Sequence, residues 1–296
     1  MSQRMKLEGS MVALVTPFAN DEVDYEAMGR LIEFQIANGT QGIIPCGTTG
    51  ESPTLSFEEH KRVVEICVDQ AKGRVPVIAG TGGNSTAEAV ELTEHARQAG
   101  ADATLQVVPY YNKPTQEGLY RHFARIAEVG LPVILYNIPG RTGVNMLPDT
   151  VGRLAKVPGI IGIKEASGNL QQMAEVINAC PEKFILLSGD DTIVLPVLAI
   201  GGQGVISVVS NVAPRLMAEL CNSYLSGDLD TARRLYYKML PLALSMFYET
   251  NPIPVKTALG LMGKCSPECR LPLAPMGEAA KERLAGVLRR QGLINH

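Results

Sequence analysis

The chain has 296 residues, 46% of them hydrophobic, so it can bury a large core and fits one α/β barrel or two smaller domains. Its net charge is −3 and no block of Lys or Arg forms a basic stripe, which argues against nucleic acid and leaves small molecules as the expected ligands. Residues 1–15 carry early cations but only a short apolar stretch, without a signal-peptide h-region, and no run approaches a membrane span; a soluble, cytoplasmic protein is expected.

Short β-branched runs alternate with longer amphipathic segments, separated by Gly, Pro, Asn or Asp, which is the pattern of repeated βα units. Strands are predicted over 11–16, 42–46, 75–79, 103–108, 133–137, 160–165, 184–188 and 204–208. Helices are predicted over 25–38, 56–72, 86–99, 116–129, 148–156, 170–179, 192–199 and 214–226. Ser56-x-x-Glu59 reads as a capping box, and Ser85 or Thr86 can cap the third helix. Eight such units over about 225 residues match the usual barrel length of ~250, so the expected fold is a (β/α)8 TIM barrel, residues 1–226.

From there the pattern becomes helix only, with segments at 229–248, 253–262 and 276–291 and a break at Asn251-Pro252-Ile253-Pro254. Residues 227–296 are expected to form a C-terminal helical appendage, with Tyr236, Tyr237, Met246, Phe247 and Tyr248 in its core. The six cysteines are scattered as in a reduced cytosolic protein. Cys265 and Cys269 have no matching pair, and the only histidines are His60, His95, His122 and His296, so no metal is expected.

In such barrels the reacting groups project from the C-terminal ends of the strands. There the sixth strand, Ile160-Ile161-Gly162-Ile163, ends in a lone cation, Lys164. Burial disfavours the charged form of an amine and can expose a neutral nucleophile for a carbonyl, so imine chemistry is the leading expectation. A snorkelling lysine is the ordinary alternative. The second strand ends in Gly47-Thr48-Thr49-Gly50-Glu51, whose hydroxyls and backbone N–H groups suit a carboxylate. Tyr136 ends the fifth strand, where a phenol can pass protons if hydrogen bonding lowers its pKa. Arg141, in a Pro-Gly loop, can grip a second carboxylate or make a surface salt bridge.

The motifs around Thr48, Tyr110-Tyr111-Asn112, Tyr136-Asn137-Ile138-Pro139-Gly140-Arg141, Gly162-Ile163-Lys164-Glu165, Ser188-Gly189-Asp190-Asp191 and Asn251-Pro252-Ile253-Pro254-Val255-Lys256 together resemble the dihydrodipicolinate synthase family. The resemblance runs from about residue 8 to the end. It implies a class I aldolase-type condensation of pyruvate with L-aspartate 4-semialdehyde, without external cofactor. Lys164 would form the imine, and Tyr136 would act as acid and base in a relay with Thr48 and with Tyr111 of a neighbouring subunit. Thr49 would bind the pyruvate carboxylate, Ile206 and Gly189 would line the site, and Arg141 would receive the semialdehyde carboxylate.

The resemblance also implies a homo-oligomer, most often a tetramer built as a dimer of dimers. Feedback inhibition by L-lysine would fall on Ser52, Pro53, Phe57, His60, Asn84, Glu88 and Tyr110. Phe57 stands where a histidine is usual and Pro53 where a small residue is common. Without the resemblance, Glu88 and His60 read as a solvated helix face. A sugar-acid lyase such as N-acetylneuraminate lyase would share Lys164 and Tyr136, but that branch generally lacks an arginine at Arg141 and often has Ser-Thr in place of Thr48-Thr49. A catalytically silent barrel is the alternative of another class; the presence of Lys164, Tyr136, Thr48 and Tyr111 argues against it.

Overall fold

The structure, a computed structural model, describes residues 7–295; the early N-terminal cations and His296 lie outside them. Eight parallel strands carry the fold: β1 (Gly9–Ala13), β2 (Ile43–Ile44), β3 (Ile78–Gly80), β4 (Ala103–Val107), β5 (Val133–Asn137), β6 (Ile160–Glu165), β7 (Ile185–Ser188) and β8 (Gly204–Ser207). They pair in the order β2-β1-β8-β7-β6-β5-β4-β3. A parallel bridge between Ile43 and Val77 closes the ring. Every strand is buried along nearly its whole length, as parallel strands are when helices cover the outer face and side chains fill the inner one.

Eight helices wrap the barrel: α1 (Tyr25–Ala37), α2 (Phe57–Ala71), α3 (Thr86–Gln98), α4 (Gln116–Ala127), α5 (Pro148–Leu154), α6 (Leu170–Ala179), α7 (Val194–Ala199) and α8 (Pro214–Leu225). The Ser56–Glu59 capping box forms in both directions, and Ser85 rather than Thr86 caps α3. Their apolar faces pack on the strands in two clusters, while Met11, Ile44, Leu105, Ile134, Leu187 and Ile206 belong to a third inside the barrel.

The differences from the expected strands have local causes. The first strand ends at Ala13 rather than residue 16 because the chain beyond it finds side-chain partners. Val15 N donates to Asn211 Oδ1 (3.1 Å) and the Thr16 hydroxyl donates to the Gly50 carbonyl (2.7 Å). The second shrinks to two residues, and two residues beyond it Cys46 turns left-handed (φ 54°). A small hairpin, Phe18–Ala19 with Glu22–Val23, was not expected; Asn20 and Asp21 both take positive φ (54° and 66°), the requirement of a tight two-residue hairpin turn.

Beyond α8 run α9 (Leu229–Ser245), α10 (Ile253–Leu261) and α11 (Glu278–Arg290). Leu235, Met239, Leu242, Val255, Leu259 and Leu284 share one apolar cluster with Val12, Leu14 and Val205 of the barrel, so the packing has no gap at residue 226. Of the five residues expected in this core, Met246 is fully buried and Tyr236 and Tyr248 are partly so. Tyr237 and Phe247 instead are exposed (65% and 49%).

The β1–β8 contact admits no side chain at Gly204: a Cβ there would lie 2.1 Å from the Gly9 carbonyl oxygen. Gly204→Ala therefore forces the two strands apart and is expected to cost about 1–3 kcal/mol, read as a lower urea midpoint. A midpoint equal to that of the parent chain refutes the reading.

Candidate active site

The barrel register places the chemistry. Tyr136 on β5 is the direct partner of Lys164 on β6, so both side chains enter the barrel from neighbouring strands at the same height. Lys164 Nζ lies 4.2 Å from the centre of the Tyr136 ring, and both residues are buried. Gly189, at the end of β7, leaves room for the lysine stem; a Cβ there would sit 3.0 Å from Lys164 Cε.

Burial pulls the Lys164 amine down to about 8; Arg141 adds to this, and the Asp191 carboxylate works against it. A useful neutral fraction is thereby present near neutral pH, unlike that of an exposed lysine. Burial also pushes the Tyr136 phenol up, to about 12, although the Thr48 hydroxyl hydrogen-bonds it and Arg141 favours its anion. The condition of a lowered phenol pKa is therefore not met. Desolvation outweighs the bond from Thr48, and the phenol is a protonated donor at rest.

Thr48 and Thr49 stand in the loop after β2. Thr49 is buried, and its Oγ1 accepts a hydrogen bond from Asn251 Nδ2 (3.0 Å). Arg141 lies in a short helical turn, Pro139–Thr142. Its Nη2 donates to the Asn251 carbonyl (3.0 Å) rather than to a surface carboxylate. Ile206 is buried inside the barrel, two residues before Val208, which lines the site.

A small cavity of about 50 Å³ surrounds Lys164 and is walled by Thr48, Thr49, Tyr136, Arg141, Gly189, Val208, Phe247 and Asn251. Thr48, Tyr136 and Arg141 also border a larger cavity of about 210 Å³ that extends to Ser52, Pro53 and Tyr110. The site is thus a buried amine, a phenol–hydroxyl pair and a guanidinium around a space for small carboxylated molecules.

The remaining expected residues scatter. Tyr111 takes a positive φ (72°) and is 91% exposed, and it lines neither cavity of its own chain. Glu88 is exposed and helps burial raise the Tyr110 phenol, so the two are electrostatic neighbours. The Asn84 carbonyl accepts from Asn112 Nδ2 (2.9 Å), and Phe57 is an exposed ring on α2. His60 departs from the solvated face expected without the resemblance. It is buried, its Nε2 meets the Gly80 carbonyl at 2.8 Å, and burial lowers it to about 4. A neutral imidazole turned into its own core does not belong to a solvated face.

Three features were not foreseen. Asn251 stands in a helix break and a family motif, neither of which gives its side chain a partner, yet it bridges Thr49 and Arg141. Asp191 is buried and accepts from Val208 N and Val209 N (both 3.0 Å), which fixes the end of β8 beside Lys164. Lys256 and Glu51 form a fully buried ion pair at 2.6 Å. All three lie in quoted motifs, but their partners are distant in sequence.

An eight-stranded α/β barrel with a buried, pKa-depressed amine facing a phenol defines a lyase of the class I aldolase type. The chain belongs to the dihydrodipicolinate synthetase family, whose model matches residues 6–291. It is 60% identical over 289 residues to the 4-hydroxy-tetrahydrodipicolinate synthase of Syntrophobacter fumaroxidans, covering 97% of this chain and 99% of that one. Among solved structures, dihydrodipicolinate synthase from Aquifex aeolicus is similar (52% identity, TM-score 0.95, 97% of this chain and 98% of that one). So is the chloride-inhibited dihydrodipicolinate synthase of Acinetobacter baumannii in complex with pyruvate (47% identity, TM-score 0.96, 98% and 100% covered).

The depressed amine has a stability consequence. Its folded pKa, about 8, lies below the unfolded 10.5, so the destabilisation is complete below pH 8 and is relieved as pH rises from 8 to 10.5. Lys164→Met removes the buried amine and is expected to stabilise the chain by about 1–3 kcal/mol at pH 7, with the gain shrinking toward pH 10.5. Urea unfolding at both pH values checks this; a variant less stable at pH 7 contradicts it.

Proposed function

We propose that the chain condenses pyruvate with L-aspartate 4-semialdehyde through an imine on Lys164, the committed step toward diaminopimelate and lysine. The observation that carries this reading is the Lys164 amine, buried opposite Tyr136 and held near pKa 8. The neutral amine adds to the pyruvate carbonyl, and Tyr136, in contact with Thr48, supplies the proton that lets water leave. The resulting imine draws electrons from the adjacent methyl group, which loses a proton to the Tyr136 phenolate left by that step and attacks the aldehyde carbon, whose oxygen takes the proton back from Tyr136.

Thr49 and the backbone beside it receive the pyruvate carboxylate. Arg141, at the wall shared by the two cavities, receives the carboxylate of the semialdehyde. The crystal complex of the Acinetobacter baumannii relative with pyruvate supports the same first substrate.

Tyr111 completes the relay from a second copy, which accounts for a large phenol held 91% exposed at a positive φ. The working form is then a homo-oligomer, and a tetramer of paired dimers is the form we propose. L-Lysine would act at Ser52, Asn84, Glu88 and Tyr110, with Phe57 as an apolar wall. The free cysteines suit a reducing cytoplasm, and among the described residues no helix is long and apolar enough to cross a membrane.

Borohydride reduction with pyruvate, followed by peptide mass mapping, is the direct test. A pyruvyl adduct on Lys164 is expected, and folded protein without one refutes the reading. Adduct formation at saturating pyruvate should accelerate with pH up to about 8 and then level off, as the amine loses its proton. Tyr136→Phe should lower kcat by about 10²-fold or more while the chain stays folded. Turnover of a sugar-derived aldehyde in preference to aspartate semialdehyde would move the assignment to the lyase branch.

A further inference from the structure

Glu51 closes the loop that carries Thr48 and Thr49, and it is an unusual loop residue. Its backbone is left-handed (φ 54°), which disfavours any side chain beyond glycine, and it is only 2% exposed. A carboxylate stripped of water must find its partners in the protein. Here both come from the far C-terminal region. Lys256 Nζ on α10 meets Oε1 at 2.6 Å, and the backbone N–H of Arg270 donates to Oε2 at 3.0 Å. Lys256 is itself fully buried, with its Nζ 4.1 Å from the centre of the Phe18 ring.

Stability alone does not explain such a pair. A buried ion pair roughly breaks even against apolar residues of the same volume, whereas removing one partner is severe because the other is left uncompensated. Its effect is instead on conformation: the Glu51 carboxylate is satisfied in one place only, and that choice fixes the peptides before it. Glu51 N donates to the Thr48 carbonyl (3.1 Å), Ser52 N to the Gly47 carbonyl (3.3 Å), and the Gly50 carbonyl accepts from Thr16 (2.7 Å). The far side of the loop is held by the Arg270 guanidinium, which grips both oxygens of Glu59 and the Thr54 carbonyl. Five residues before Lys256, Asn251 holds the Thr49 hydroxyl.

We propose that the buried Glu51–Lys256 pair is a positioning device for the carboxylate cradle, locking loop 47–51 so that Thr48 meets Tyr136 and Thr49 faces the Lys164 cavity. The C-terminal helices are then a working part of the site. This rests on the function proposed above, with Thr49 as the pyruvate carboxylate site. Arg141 makes no hydrogen bond to Glu51 or Lys256; its Nη2 donates to the carbonyl of Asn251, whose side chain also holds Thr49, so the pair should act more strongly on the pyruvate side than on the other substrate.

The test uses Glu51→Gln, the paired variant E51Q/K256M, which removes both charges but keeps the long stem over Phe18, and the conservative Lys256→Arg. The pyruvate concentration for half-maximal borohydride trapping is read for each folded protein, alongside KM for aspartate semialdehyde. Glu51→Gln and E51Q/K256M are expected to raise the pyruvate value about tenfold or more, with the semialdehyde KM changed less than about threefold and Lys256→Arg close to the parent. A folded E51Q/K256M with parental pyruvate half-saturation overturns the proposal, as does an equal loss for both substrates. If Glu51→Gln alone does not fold, the paired variant decides. Absence of an adduct in the parent chain instead refutes the function itself, a result distinct from either.

Discussion

The site depends on one constraint, an amine held away from water at the end of a barrel strand. Parallel strands covered outside by helices and filled inside by side chains leave Lys164 only 6% exposed, so its charged form has lost most of its hydration. The same dryness acts on its neighbours. It raises the Tyr136 phenol and the Asp191 carboxylate, the latter to about 6. A nucleophile that is partly neutral and an acid that is fully protonated are therefore two results of one environment. Gly189 is part of that arrangement, because any side chain there would press on the lysine stem.

Around this amine the strands are short, and what they give up in ladder hydrogen bonds is replaced by side chains. Asn211 and Thr16 take over beyond β1, and Asp191 takes the two N–H groups beyond β8. Freed from the ladder, the chain at each strand end can turn a hydroxyl or a guanidinium inward. The C-terminal segment fastens these turns from outside through Asn251, Lys256 and Arg270, each reaching a residue some 200 positions earlier or, at Arg141, 110. A barrel with catalytic loops would otherwise have to hold them by local contacts alone.

The eight βα units were legible because hydrophobic period and turn residues are local signals, and β5 and β6 kept their expected bounds. Lys164 stood out because a cation after Ile160-Ile161-Gly162-Ile163 contradicts its surroundings. The hairpin of Phe18 and Val23 was missed because two-residue strands carry too little pattern, although Asn20-Asp21 is a turn signal. His60 was misjudged since its helix carries charges on several sides. Only packing shows that its ring turns toward Gly80.

By itself the sequence determined the barrel, the lysine at its sixth strand and the family motifs, all of which rest on residues close together in the chain. Tertiary structure decided what depends on distance and burial. It set the Tyr136–Lys164 register, raised the phenol by desolvation, and buried Glu51 against Lys256. Desolvation and long-range pairing are properties of a folded volume, and no local spacing encodes them. The exposure of Tyr111 belongs to the same class: its sequence neighbours mark it as functional, but its own chain leaves it turned outward.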